Sequence, residues 1–450
     1  MDIKFIKEII FERAKDAGFS EFEIYYSKDD NLSIGVYKGD IDKYSVNTTM
    51  GISFRGIYKG NMGYSYTELI DEEAIDTLLE SAKQSAVSID NNEEEIIYGE
   101  KQDYVKLNCY NEELSNISTK QKIDFIKDLE SKTLNFHEKV ETIAGCELES
   151  STIEYGIMNS KGIELDNKQN FISAYVVPVI KEKDIKYDGF KFKITQDFKE
   201  LDIKMLAKES VGMALDRVGG ETVNSGNYKI VLKNDVMAMM LSTFIGAFSA
   251  ENAEKGLSLL KGKEGRIIAN PIVSLVDDPH LEGSFASTPF DAEAVATYKK
   301  YMIKDGYLNT LLYNLKSATK EGKKSTGNAY KSSFASSISI APTNCYIEKG
   351  KSAFEDVLNY VGEGILITDI EGTHAGANAI TGDFSLAAKG FSIKLGKRAD
   401  PIEQITVAGN FFELLKDIEY IGEDLEFTIP MGANFGSPSV VIKSLSVAGK

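Results

Sequence analysis

"YKIVLKNDVMAMMLSTFIGAFSAENAEKG", residues 228–256, joins a strand-like segment to the most apolar run of the chain. Tyr228–Lys233 alternates as a strand does, and the run from Val236 to Ala250 carries no charge. That run falls short of the ~20 apolar residues that span a bilayer, so it reads as a buried helix. Gly246 stands in its middle, and residues 239–256 hold no His, no Cys and no acid before Glu251. A helix this apolar is expected to lie in a core, and the flanking sequence supplies strand patterns.

Working outward, residues 266–450 read as short strands with glycine-rich turns, plus helices near 351–361 and 409–418. On the N-terminal side, "FEIYY", "LSIGVYKG", "YSVNTT", "GISFRGIYKG" and "NMGYSYTE" alternate between Gly, Asn and Asp turns, which predicts antiparallel hairpins. Ile3, Ile6, Ile9, Ile10, Ala14 and Ala17 fall on one face of a helix ending near Gly18. "DEEAIDTLLESAKQSA" (71–86) gives a second helix, with acids in its first turn where the dipole favours them. Ser118 and Gln121 have capping-box spacing for a third, running to about Leu134, and another is expected near 202–217. Strand patterns return over 140–198. The fold class is α+β: an N-terminal half of antiparallel sheet with packed helices, and a β-rich C-terminal half with one long buried helix. The expected domains are 1–220, with an internal break in the polar connector 89–117 ("DNNEEEII"), and 225–450, with "GGETVNSGN" (219–227) at the boundary.

The chain has 450 residues, 42% hydrophobic and 27% charged, enough to bury ordinary cores. Its 51 basic and 69 acidic residues leave a net charge of −18. That predicts no direct nucleic-acid partner, because phosphate binding draws on positive surface. "KEGKKS" (320–325) is the densest basic cluster, and it is small. The N-terminus is broken by charge every few residues, so no secretory signal or membrane anchor is read there. Three scattered cysteines, Cys109, Cys146 and Cys345, make no disulfide framework or zinc knuckle, and a reducing cytoplasmic location is expected.

The residues themselves yield no firm catalytic constellation. The histidines are His137, His280 and His374, and no H-E-x-x-H occurs. "DDPHLEG" (277–283) crowds Asp277, Asp278 and His280 into one loop; this could chelate a divalent metal or pair an acid with a base, or be a turn whose acids cap backbone amides. The glycines of "GEGILITDIEGTHAGANAITGD" (362–383) lack phosphate-loop offsets, and no G-x-S-x-G is present.

Six phrases stand in one order along the C-terminal half: "DDPHLEGSFASTPFDAEAVAT" (277–297), "STGNAY" (325–330), "APTNCYIEKG" (341–350), "TGDFSLAAKGF" (381–391), "ITVAGNFFELL" (405–415) and "LSVAGK" (445–450). In these the chain resembles the TldD/PmbA family of metallopeptidases, also described as modulators of DNA gyrase. The resemblance implies two kinds of subunit. TldD-type chains carry H-E-x-x-G-H on the apolar helix, with a later cysteine completing a zinc site. Aligned on Gly246, this sequence has Ser242, Thr243 and Ala247 in place of His, Glu and His, and no cysteine follows Cys345. Residues five apart on a regular helix diverge by ~140°, so such a motif needs a distorted turn, which a glycine eases.

The chain therefore resembles the PmbA (TldE) branch, and the resemblance implies a metal-free subunit without a cofactor. Such a subunit would work with a TldD-type partner, or with itself as a dimer, on short or unfolded peptides. Asn344, Thr381, Gly382 and Asp383 are the candidates for holding peptide backbone or forming an interface. The alternatives are an autonomous peptidase with a metal site built from Asp277, Asp278, His280 or His374, and a homodimeric modulator protein.

Overall fold

The computed structural model describes residues 3–88, 95–430 and 432–450. Most of the acidic part of the expected connector, residues 89–94, lies outside the described residues. From 95 the chain runs without regular structure to the short helix Glu112–Ser115.

The strands between Glu21 and Thr195 form one seven-stranded antiparallel sheet. Its order is Asn61–Thr67, Asp40–Tyr58, Glu21–Tyr37, Val140–Asn159, Glu164–Glu182, Ile185–Asp188, with Lys191–Thr195 also paired to Glu164–Glu182. Two of its hairpins turn on the dipeptides Lys38-Gly39 and Lys59-Gly60, every residue of which has positive φ. Such turns match the right-handed twist of the strands they join. The first is fastened from outside: the buried carboxylate of Glu130 accepts hydrogen bonds from the Lys38 and Gly39 amides at 2.6 and 2.7 Å.

The strands are longer than the hairpin reading expects. Ser27-Lys28-Asp29-Asp30-Asn31 has the composition of a turn, yet it lies mid-strand in Glu21–Tyr37, in register with 47–51 on one side and 151–155 on the other. Helices Ile3–Asp16 and Glu72–Ser88 bury Ile10, Leu78 and Ala82 against Phe22, Ile24, Ile52 and Phe54. Helices Thr119–Leu134 and Ile203–Asp216 cover Ile34, Leu148, Ile172 and Val176 further along the sheet. The Ser118–Gln121 capping box forms.

The C-terminal half holds two six-stranded sheets. In one, Lys397–Asn410, Asp383–Lys394, Gly364–Glu371, Gly226–Leu232 and Val440–Ala448 pair in turn, and the last pairs back to the first, closing a ring of strands. In the other, Leu275–Asp277 and Asn344–Ile347 lie at the centre, with Asn344–Ile347 parallel to Asn434–Ser437. Helix Asn234–Phe244 is buried among residues of both sheets, and Phe244 stacks on Phe411 at 4.6 Å. The α+β class holds, antiparallel sheets with packed helices.

The buried helix is shorter than its apolar run. It stops at Phe244; a 3-10 turn covers Ile245–Phe248, and Ala250–Glu254 is a separate short helix capped by Ser249. Gly246 weakens the helix where Asn252 Nδ2 donates to the Gly246 carbonyl at 2.9 Å, so a side chain takes an acceptor that the ladder would use. No described helix is long and apolar enough to cross a membrane. All three cysteines are buried and unpaired.

Candidate functional site

The motif positions sit where the buried helix gives way to the 3-10 turn. Thr243 Oγ1 donates to the Met239 carbonyl one turn back, at 2.8 Å. Ala247 is 1% exposed and offers no ligand atom, and Ser242 brings a neutral hydroxyl, a poor zinc donor. The residues in these places do not fit a zinc ion. Elsewhere, among the described residues, no three of His, Cys, Asp and Glu converge as metal ligands.

The "DDPH" loop is an internal junction. Asp277, fully buried, receives Lys300 Nζ (3.0 Å) and Asn328 Nδ2 (2.7 Å) on one oxygen, and the Thr343 amide (2.7 Å) and hydroxyl (2.6 Å) on the other. Asp278 pairs with Lys299 Nζ at 3.0 Å and receives the His280 amide at 3.2 Å. His280 Nε2 meets Thr297 Oγ1 at 3.1 Å, and partial burial of the ring lowers its pKa. His374 is exposed in the short helix Thr373–Gly376, and His137 lies in the N-terminal half.

Asn344 is also fully buried. Its amide donates to the Asp278 carbonyl (2.7 Å) and Ser287 Oγ (3.0 Å), and its oxygen accepts from Ser284 Oγ and Asn434 Nδ2. All four of its hydrogen-bonding positions are engaged within the fold. Thr381, Gly382 and Asp383 occupy a different place, a turn entering the strand Asp383–Lys394. Gly382 has φ +84°, and Asn410 Nδ2 ties the turn down through the Thr381 carbonyl (2.8 Å) and Asp383 carboxylate (2.9 Å). The four residues therefore do not form one site.

What the tertiary structure does assemble is a cleft of about 500 Å³ between the N-terminal sheet and the segments 285–292 and 327–343. Tyr25, Asp29, Thr49 and Tyr155 form one wall, and Phe285, Thr288, Tyr330, Lys331 and Phe334 the other. A smaller cavity of about 230 Å³, reaching Ile245 and Gly246, shares Tyr330, Ala341, Pro342 and Gly432 with it. Gly246 thus borders the smaller cavity, while Ser242, Thr243 and Ala247 line neither space.

The walls are locked together. Tyr155 OH meets Thr288 Oγ1 at 2.7 Å, Phe171 packs edge-on against Phe285 at 4.7 Å, and Tyr64 OH reaches the Phe334 and Ser336 carbonyls at 3.0 and 2.7 Å. Beneath them Arg55 bridges Glu23 (2.8 Å) and Glu293 (3.1 Å), all buried.

The polar groups of the cleft are perturbed by burial. Asp291 is raised well above the carboxylate range by burial beside Glu293, although three backbone amides hold it. Tyr155 is pushed up to about 12 by burial. Lys331 falls to about 7, chiefly by burial and then by the neighbouring Arg55. None of Asp29, Tyr155 or Lys331 stands out in the sequence by motif; the one local sign is the charged stretch "SKDDN" within a strand pattern.

Three family models cover the chain: PmbA/TldA metallopeptidase domain 1 over residues 22–86, the central domain over 112–218 and the C-terminal domain over 225–449. A crystal structure of a Thermotoga maritima protein, described as a proposed modulator of a DNA gyrase, superimposes with a TM-score of 0.91. Its identity is 29%, over 99% of this chain and 100% of that one. TldE from Thermococcus kodakarensis has the same fold, with a TM-score of 0.90 and 22% identity over 99% of this chain and all of that one. The Metalloprotease PmbA of Escherichia coli O157:H7 is 30% identical over 236 residues, 52% of this chain and 49% of that protein.

Proposed function

The chain belongs to the PmbA/TldD metallopeptidase family, and on that premise we propose that it is a non-catalytic, metal-free subunit of the PmbA (TldE) kind. It would pair with a TldD-type subunit that carries the zinc motif, or with a second copy of itself, and its interdomain cleft would hold short or unfolded peptides during cleavage. One observation carries this reading: Ser242, Thr243 and Ala247 stand where zinc ligands and a general base are needed. The Thr243 hydroxyl is bonded to its own helix, and Ala247 has no donor. A neutral hydroxyl is a poor zinc ligand, an alanine offers none, and a threonine does not supply the base that a glutamate would.

The cleft supports the peptide part of the reading. Its aromatic walls and hydroxyls suit an extended chain, with rings for side chains and polar groups for backbone. The alternative of an autonomous metal site at Asp277, Asp278 and His280 conflicts with the engagement of those groups inside the fold.

The test is metal content and peptidase activity of the purified chain, alone and mixed with a TldD-type subunit. The expected result is an inert chain without stoichiometric zinc, and a mixture that cleaves an unstructured peptide faster than the partner alone. A chain that by itself holds about one zinc and cleaves peptide overturns the proposal.

A further inference from the structure

Building on the reading of the cleft as a peptide holder, we infer that Lys331 is the docking group for a carboxylate of the bound peptide. Its ammonium is buried, with the residue 8% exposed, in a wall of the 500 Å³ cleft. Nζ donates to Ser53 Oγ at 2.9 Å and to Tyr64 OH at 2.6 Å, and lies over the Tyr64 and Tyr25 rings at 4.7 and 5.3 Å. An ammonium has three N–H donors. The third finds no acceptor, and no carboxylate pairs with Lys331, among the described residues.

Of the other buried lysines, Lys300 is paired with Asp277 as a counter-ion, whereas Lys122 has the Ser150 hydroxyl at 2.9 Å and borders a smaller cavity. Buried charges are ordinarily paired. At Lys331 neutral hydroxyls and rings stand in that place, and the residue lines the cleft.

The acids near Lys331 are held by other partners or stand apart from its ammonium. Glu23 and Glu293 are held by Arg55, with Glu23 also receiving Asn159 Nδ2 at 3.3 Å, and at Lys331 the positive field of Arg55 outweighs the opposing field of Glu23. Asp291 has both oxygens turned onto backbone amides: Oδ1 onto those of Glu293 and Val295, Oδ2 onto that of Ala329. The remaining acid, Asp29, lines the same cleft, and its Oδ1 is buried without a hydrogen-bond partner. It is an unmet acceptor suited to a peptide N–H. The cleft thus presents one unmatched donor and one unmatched acceptor, the complement of a peptide that brings both a carboxylate and backbone amides. Burial holds the Lys331 ammonium down to about 7, and an anion beside it restores the charge.

The experiment measures binding of a short unstructured peptide to the full chain, as the free acid and as the C-terminal amide, with a second amide pair differing by one internal Glu or Gln. A charge-assisted contact predicts about 10- to 100-fold tighter binding of the carboxylate form. Lys331→Met should abolish that preference and Lys331→Arg should keep it. Preference for the free acid identifies the terminal carboxylate, and preference for Glu over Gln identifies a side chain; either supports the inference. Equal binding by all four peptides, or a preference that survives Lys331→Met, overturns it and leaves the peptide-holding reading intact. If no peptide binds, that reading falls. The carboxylate site is then decided by acylation of Lys331: protection by N-acetylphenylalanine but not by its amide sustains it, and no difference ends it.

Discussion

Two buried ionisable groups, Asp277 and Lys331, belong to the same wall of the cleft, one behind it and one lining it, and have opposite surroundings. Asp277 receives four hydrogen bonds, two per oxygen, one of them from a buried lysine. Two of the residues that contact it, Asn328 and Thr343, line the cleft, so Asp277 fixes the wall without entering the space. Lys331 has two neutral acceptors and no counter-ion among the described residues. Along the sequence Asp277 suggests chemistry, because acids and a histidine crowd together at 277–282, whereas Lys331 carries no such signal. Crowding in sequence measures only how many polar groups share a loop. Hydrogen-bonding capacity left over after folding is what a ligand can use.

The comparison can be broken most forcefully at Asp277. Asp277→Ala leaves Lys300 buried and unpaired, and the expected loss is about 3–5 kcal/mol in urea unfolding. A loss under about 1 kcal/mol would mean that the junction is not structural.

At Lys331 the sign is read from pH. Its pKa is about 7 in the fold and near the ordinary lysine value when unfolded, so between those values the folded state binds fewer protons. Stability of the wild type relative to Lys331→Met should therefore rise as pH rises from 7 toward 10, by at most about 1.4 kcal/mol per pH unit. The reverse slope, or none, would contradict an unpaired buried ammonium.

His280→Ala removes one hydrogen bond to Thr297 and should cost about 1 kcal/mol, with no change in peptidase activity of the mixed subunits. A large activity loss there would move the site back to the acidic loop. The smallest effect is expected for Thr243→Ala, within about 0.5 kcal/mol, since a hydroxyl bonded to its own helix contributes little. If that variant instead abolishes activity of the mixture, the position is in use.

Legibility follows the range of the interactions. The Ser118 cap, the glycine hairpins and the helices near 351–361 and 409–418 are local, set by propensities and hydrogen bonds a few residues apart, and they are present. "SKDDN" misleads because five polar residues resemble a turn until the partner strands on both sides are known. Lys28 pairs with Asp30, Thr48 bonds Asp30 across the hairpin, and Asp29 faces the cleft. The basic run 320–325 is likewise resolved only in space, where Lys320 pairs with Glu254 and Lys323 with Glu264.

By itself the sequence determined the α+β class, the family resemblance in its C-terminal half, and the presence of Ser242, Thr243 and Ala247 where that resemblance puts His, Glu and His, because those depend on residue types at fixed spacing. Only the tertiary structure decided which polar groups are left for a ligand. Asn344 and Asp277 are saturated by partners tens of residues away, whereas Lys331 and Asp29 are brought to one cleft from opposite halves of the chain. Saturation is a property of all the neighbours at once, and no spacing along the chain encodes it.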